Sequence, residues 1–157
     1  MAIIDLMEIR EMTLDDLKFF NRVRSSSVDY IHDKVDYSYG DNIIWFNKLE
    51  HPYFILLIGD VRIAYFRTAQ WDTDAGSAYI GMDMAEEHRG KGYANPAYEK
   101  FFEILAKDYG MNKLYVEILT SNRRSLHVMN KLGFTVTELL PYNDKEQSIK
   151  MELELWS

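Results

Sequence analysis

The sequence predicts a single α/β (α+β) domain, and three observations carry that prediction. Residues 53–58, Tyr-Phe-Ile-Leu-Leu-Ile, are followed by Gly59-Asp60 and a second β-rich run over 61–68, the pattern of a hairpin closed by a two-residue turn. Ser77–Met84 alternates apolar and polar residues, runs into two glycines and then into a helical pattern over Ala94–Tyr109, and Lys113–Leu119 is again β-rich. A strand, a helix and a second strand at this spacing make a crossover whose two strands are parallel. The length of 157 residues, 47% of them hydrophobic, suits one domain, 1–157, with its own core.

Each element has a local reason. Met7–Glu11 reads as a short strand. Thr13 caps a helix start, Asp15 and Asp16 favour its positive dipole end, and Leu14, Leu17, Phe20 and Val23 form its apolar stripe, which Arg24-Ser25-Ser26-Ser27 interrupts. Residues 28–42 are aromatic and polar without a firm period; Tyr30, Tyr37 and Tyr39 there suit the wall of an acceptor pocket, or else a half-buried surface. Asp41 or Asn42 can cap a second short helix carrying Ile44, Trp45 and Leu49. Residues 70–76 read as a polar loop. Helix Ala94–Tyr109 places Ala97, Phe101, Ile104 and Leu105 on one side and ends at Gly110. Ser121 or Asn122 caps a further helix ending at Gly133, and residues 134–138 and 148–155 read as two last strands around a loop at 141–144.

Composition excludes several kinds of chemistry. With no cysteine, disulfides, thiolate metal sites and a cysteine nucleophile are absent. His32, His51, His88 and His127 are scattered, so no metal site is expected. A net charge of −7 disfavours nucleic acid. No apolar run approaches a membrane span and the N-terminal residues do not resemble a signal peptide, so a cytoplasmic protein is expected, as monomer or homodimer. Two windows, 88–98 and 119–137, lack carboxylates, and the second holds Arg123, Arg124 and Lys131. In an acidic chain, two such windows suggest one anion site built from both.

The first window is the organising stretch. His88-Arg89-Gly90-Lys91-Gly92-Tyr93-Ala94-Asn95-Pro96 joins strand to helix. Its glycines let backbone N–H groups approach an anion, and the helix start adds free donors. The nucleotide P-loop pattern is absent, and the dinucleotide pattern fails because Asn95 stands where its third glycine belongs. What remains is Arg89-x-x-Gly92-x-Ala94. It resembles the pyrophosphate loop of the GNAT family of N-acetyltransferases, Gln/Arg-x-x-Gly-x-Gly/Ala. After strand Lys113–Leu119 comes Asn122-Arg123-Arg124-Ser125-Leu126-His127-Val128-Met129-Asn130-Lys131-Leu132-Gly133-Phe134. This resembles the family's second signature, Asn-x-x-Ala/Ser-x-x-x-x-x-Lys-Leu-Gly-Phe. Two signatures in the right order, each after a strand, cover residues 77–134; the first 75 residues agree only in the order of strands and helices.

The resemblance implies a mixed, twisted sheet of about seven strands flanked by about four helices, with two parallel central strands splayed to hold acetyl-CoA as acyl donor. It implies a pantetheine arm paired with the backbone near Met82 and Met84. It implies a pyrophosphate on Arg89, Gly90, Lys91, Gly92, Tyr93 and Ala94, and Asn122 and Ser125 on the other wall. A primary amine then attacks the thioester directly. A lysine-like amine, with a pKa of about 10.4, must lose a proton first, so a base or water chain is needed. Many family members carry a tyrosine where this chain has Met129, and a glutamate where it has Tyr79. With a serine at 125, the pattern is closer to the subgroup of ribosomal-protein N-terminal acetyltransferases and their amino-sugar-acetylating relatives. Ser125 is the candidate thiol-side donor, its other reading being a helix-start cap. Tyr79 and Glu117, with Asp83 and His127, are candidates for the base side. The expected acceptor is a small-molecule amine, possibly an amino sugar; the alternatives are a protein N-terminus, or a CoA-binding module without turnover.

Overall fold

A computed structural model of the chain describes residues 2–155; Met1, Trp156 and Ser157, the ends of the 1–157 domain reading, lie outside the described residues. Seven strands form one sheet: β1 (Met7–Glu11), β2 (Phe54–Ile58), β3 (Val61–Asp72), β4 (Ser77–Met84), β5 (Lys113–Leu119), β6 (Thr135–Pro141) and β7 (Gln147–Glu154). Their spatial order is β1-β2-β3-β4-β5-β7-β6. The β4–β5 pair is parallel and the other neighbours antiparallel, so the sheet is mixed.

Among the described residues five α-helices accompany it: α1 (Ile3–Leu6), α2 (Leu17–Ser27), α3 (Tyr39–Asn47), α4 (Ala94–Tyr109) and α5 (Arg123–Lys131). The core has two faces. Ala97, Tyr98, Phe101 and Leu105 of α4 pack on Phe54, Phe66, Ile80 and Val116, with Phe66 and Phe101 stacked 4.0 Å apart. On the other face Leu17, Phe20 and Val23 of α2 cover Ile55, Leu57 and Tyr65. Strand alternation assigns these faces: Phe66 and Tyr65 are neighbours in β3 but point oppositely.

Several boundaries differ from expectation. The serine run does not stop α2. The Ser26 and Ser27 hydroxyls both donate to the Val23 carbonyl at 2.8 Å, and buried Arg24 donates to the Val35 and Asp33 carbonyls, so the last turn has tertiary partners that outweigh weak propensity. The first cap is more than Thr13: the fully buried Asp16 carboxylate accepts the Thr13 amide at 2.8 Å and is held by Arg10 and Arg62. The cap of α3 is Ser38, whose hydroxyl accepts the Asp41 amide while the Asp41 side chain accepts the Ser38 amide. β3 continues to Asp72 through an irregularity at Gln70, where the sequence reads as a polar loop. β6 runs on to Pro141, an edge position that needs no amide donor. The short α1 is an addition to the predicted elements.

Candidate active site

β4 and β5 pair through Ser77↔Lys113, Ala78↔Leu114 and Tyr79↔Tyr115, and there pairing stops, although β4 runs on to Met84 and β5 to Leu119. The strands diverge. Two contiguous cavities occupy the gap, one of about 610 Å³ and one of about 30 Å³, sharing Tyr30, Arg67, Met82, Tyr98, Asn122, Ser125 and Met129 as walls.

One wall of the larger cavity is the glycine loop. Gly90 and Gly92 have φ of 74° and 79°, and a Cβ at either would meet nothing within 4 Å. These glycines therefore supply backbone conformation rather than space: two left-handed residues turn successive amides to one side. α4 begins beyond them without a side-chain cap, leaving its first-turn donors open. In that turn Asn95 Oδ1 is buried without a hydrogen-bond partner. Arg89 lines the cavity, but its side chain is engaged: Nε donates to the Met84 carbonyl at 3.0 Å and Nη2 to Ser27 Oγ at 3.2 Å, fastening the loop to β4 and α2. Lys91 is exposed and lines neither cavity. On the opposite wall Asn122 Oδ1 accepts the Ser125 amide at 3.3 Å, capping α5, and exposed Arg123 and Arg124 stand beside it.

The catalytic candidates fall in different places. Ser125 borders both cavities, next to Met129, which is 3% exposed. Glu117 borders the smaller one. Tyr79 borders neither: its ring stacks on Tyr115 at 5.1 Å, and Lys150 Nζ lies 5.6 Å over it, the Tyr79 hydroxyl helping to hold that ammonium's pKa above its usual value. Asp83 borders the larger cavity but already accepts from Tyr65 Oη at 2.5 Å and Arg67 Nε at 3.0 Å. His127 is exposed on α5, away from both. Of the three tyrosines suited to an acceptor wall, Tyr30 is there; Tyr37 donates to Asp33 at 2.9 Å and Tyr39 opens α3.

Two groups at this site were not singled out in the sequence. Tyr98, on the apolar stripe of α4, reaches both cavities, and burial holds its hydroxyl protonated. Arg67 lies in the return strand of the hairpin, whose sequence does not single it out. The signal that could have found it is Gly81, its partner on β4, a glycine inside a strand that marks a close approach. Burial works against charge on Arg67, but Asp83 together with Tyr65, Tyr53 and Tyr98 outweighs it and the guanidinium stays protonated. Among the described residues no cluster of three His, Asp or Glu could hold a metal, and no helix is long and apolar enough to cross a membrane.

The sheet is mixed, it opens between two parallel strands, and the opening faces a glycine loop at a helix start. The acetyltransferase (GNAT) domain model matches residues 7–135, and the chain belongs to that family. Among curated proteins, the uncharacterized N-acetyltransferase p20 of Bacillus licheniformis is 27% identical over 86 residues, covering 55% of this chain and 48% of that one. The match thus spans about half of that relative's length. Among solved structures, spermidine N-acetyltransferase from Vibrio cholerae in complex with CoA and spermine superposes with a TM-score of 0.87 at 18% identity, over 96% of both chains. The yncA protein of Salmonella typhimurium, solved with acetyl-CoA, gives 0.77 at 19% identity, over 96% of this chain and 95% of that one. At such identities these two likenesses concern the fold.

Proposed function

We propose that this chain is an acetyl-CoA-dependent N-acetyltransferase whose acceptor is the primary amine of a small molecule. The observation that carries the reading is the end of β4–β5 pairing at Tyr79 and Tyr115, directly before a cavity walled by two helix starts. The residues present fit the donor. The turned amides from Gly90 to Ala94 and the uncapped first turn of α4 would hold its pyrophosphate, with Arg123 and Arg124 beside them. Met82 and Met84 would offer it the β4 edge that β5 leaves unpaired. When bound, acetyl-CoA supplies a thioester carbonyl open to attack by an amine.

The chain's own groups then manage the protons. The Met129 thioether has no proton to give; Ser125, the hydroxyl of α5 that borders both cavities, passes a proton to the departing thiolate and recovers one from the amine nitrogen as it becomes the amide. Glu117 sits on the smaller cavity, whose volume of about 30 Å³ suits a single water, and it takes the proton of the incoming amine through that water. Tyr79, packed away under Lys150, is given no part. A small acceptor accords with the likeness to the Vibrio cholerae fold, whose own acceptor is spermidine.

The test is thiol release from acetyl-CoA across amino sugars, polyamines, amino acids and short peptides, with thermal-shift binding of acetyl-CoA alongside. Release that depends on a small amine is expected. Binding without release for any amine would replace the enzyme with a CoA-binding module, and turnover restricted to peptides would replace the small acceptor with a protein N-terminus. No binding would remove the donor assignment.

A further inference from the structure

A side chain at Gly81 would displace the Arg67 guanidinium. A Cβ there would lie 2.6 Å from Arg67 Nη2, 2.7 Å from Cζ and 2.9 Å from Nη1. The guanidinium therefore occupies the space over the Gly81 backbone, in register with it across the β3–β4 ladder and just past the last β4–β5 pair. Asp83 fixes it there, accepting Nε at 3.0 Å and Nη2 at 3.4 Å, while Tyr65 Oη donates to the same carboxylate. Nη1 has no hydrogen-bond partner among the described residues, 38% of the side chain is exposed, and Arg67 borders both cavities.

The charges around it are one-sided. Of the arginines bordering the larger cavity, Arg123 and Arg124 stand beside the place given to the donor's pyrophosphate and Arg89 is bonded to Met84 and Ser27, which leaves Arg67 as the cation with an open edge, and the bordering carboxylate, Asp83, is already paired. A polycation would find no free carboxylate in that cavity. A guanidinium held by a partner on one edge and open on the other matches a carboxylate, and partial removal from water strengthens the contact. Beyond Arg67, Glu117 on the smaller cavity is a carboxylate without an ion pair among the described residues, suited to an ammonium.

We infer that the acceptor is an amine that also carries a carboxylate, received by Nη1 of Arg67, a specificity residue built into the fold by Gly81 and Asp83. This rests on the acetyltransferase reading and narrows its acceptor to amino-acid-like amines.

The experiment is thiol release from acetyl-CoA with the L-amino acids, each beside its α-carboxamide, and with spermidine. At least one amino acid is expected to exceed its carboxamide, and spermidine, by about tenfold or more in kcat/KM, because a site built to bond a group rejects the analogue lacking it. Arg67→Lys, which keeps the charge near Asp83, and Arg67→Gln are both expected to bring that ratio towards one, with acetyl-CoA binding and the melting temperature certifying the fold. Carboxamides or spermidine equal to or better than the carboxylates would overturn the inference and leave the acetyltransferase standing. So would a carboxylate preference that survives in both variants. If no amine releases thiol, the acetyltransferase reading fails by itself; calorimetry with the same amino acids then tests the carboxylate site, and absence of binding overturns it.

Discussion

Tyr79 and Tyr115 form the last paired rung of two parallel strands, their rings stacked 5.1 Å apart at 29°, with Lys150 Nζ over both at 5.6 and 4.8 Å. Below this rung the sheet is continuous and above it the strands part. The aromatic stack and its ammonium mark where the cleft begins, and because Tyr79 borders neither cavity we propose for it a packing role in place of the base role. Tyr79→Phe is expected to keep kcat and its pH profile close to wild type. Tyr79→Ala is expected to lower stability by about 1 kcal/mol or more through the lost stack and cation–π contact. Steady-state kinetics with chemical denaturation checks both.

Gly92→Ala tests the anion loop. The added methyl meets no atom within 4 Å, so any loss comes from the φ of 79° and not from a clash. The left-handed conformation costs a non-glycine residue about 1–2 kcal/mol, and relaxing it turns the amides away. Acetyl-CoA affinity is expected to fall by about tenfold or more, with little change in the circular dichroism spectrum. Unchanged affinity in a calorimetric titration would remove the loop from the donor site.

Ser125→Ala is expected to lower kcat by about 10²-fold, the lower end of what a positioned acid contributes, with KM for acetyl-CoA nearly unchanged. The α5 cap survives, because Asn122 bonds the Ser125 backbone amide and not its hydroxyl. A parallel rise in KM would assign the serine to binding.

Asp16 bears on stability alone. Its buried carboxylate is raised by burial but lowered further by Arg10, the Thr13 amide and Arg62, leaving it well below the usual carboxylate range. A lowered folded value means that this stability is fully present above the unfolded pKa of about 3.9 and is lost as pH falls through the folded value. Asp16→Ala leaves two guanidinium groups, each about a third exposed and so partly rehydrated, without their shared partner and is expected to destabilise by about 1–3 kcal/mol, read as a drop in the urea midpoint at pH 7.

The histidines give a second pH window. His51 Nδ1 lies 2.7 Å from Thr68 Oγ1, whose own proton goes to the Pro52 carbonyl at 2.6 Å, so Nδ1 donates. Burial lowers the pKa of His51, and it lowers that of His32, where Glu117 partly opposes it and Arg67 and Lys34 assist. A lowered folded pKa means the unfolded chain takes up protons first as pH falls. Stability should therefore decline below about pH 6.5. Urea midpoints between pH 5.5 and 7.5 should show that slope, and the double variant His32→Gln/His51→Gln should flatten it.

How much was legible in the sequence follows the range of each interaction. The hairpin, the crossover and both helix starts rest on local chemistry, and the observed β2–β3, β4–α4–β5 and α5 elements lie where that chemistry puts them. The end of α2 was misread because Arg24 is satisfied by carbonyls of Val35 and Asp33, partners outside its own turn. β3 was cut short because Gln70 and Thr73-Asp74-Ala75-Gly76 read as loop, whereas pairing with β4 carries the strand to Asp72. At the site, residues that act through backbone, such as Gly90 and Gly92, stood out by composition. Arg67 did not, since its significance lies in Gly81 and Asp83 on the neighbouring strand, and a strand pairing is not written in either strand alone.

The central claim is that acetyl-CoA occupies the opening between β4 and β5. Amide hydrogen exchange with and without acetyl-CoA tests it most directly, because the claim names backbone groups. Added protection concentrated in residues 82–94 and 119–125, with β1, β2 and β6 unchanged, is the predicted result. Protection centred elsewhere, or none at a concentration where calorimetry shows saturation, would contradict it.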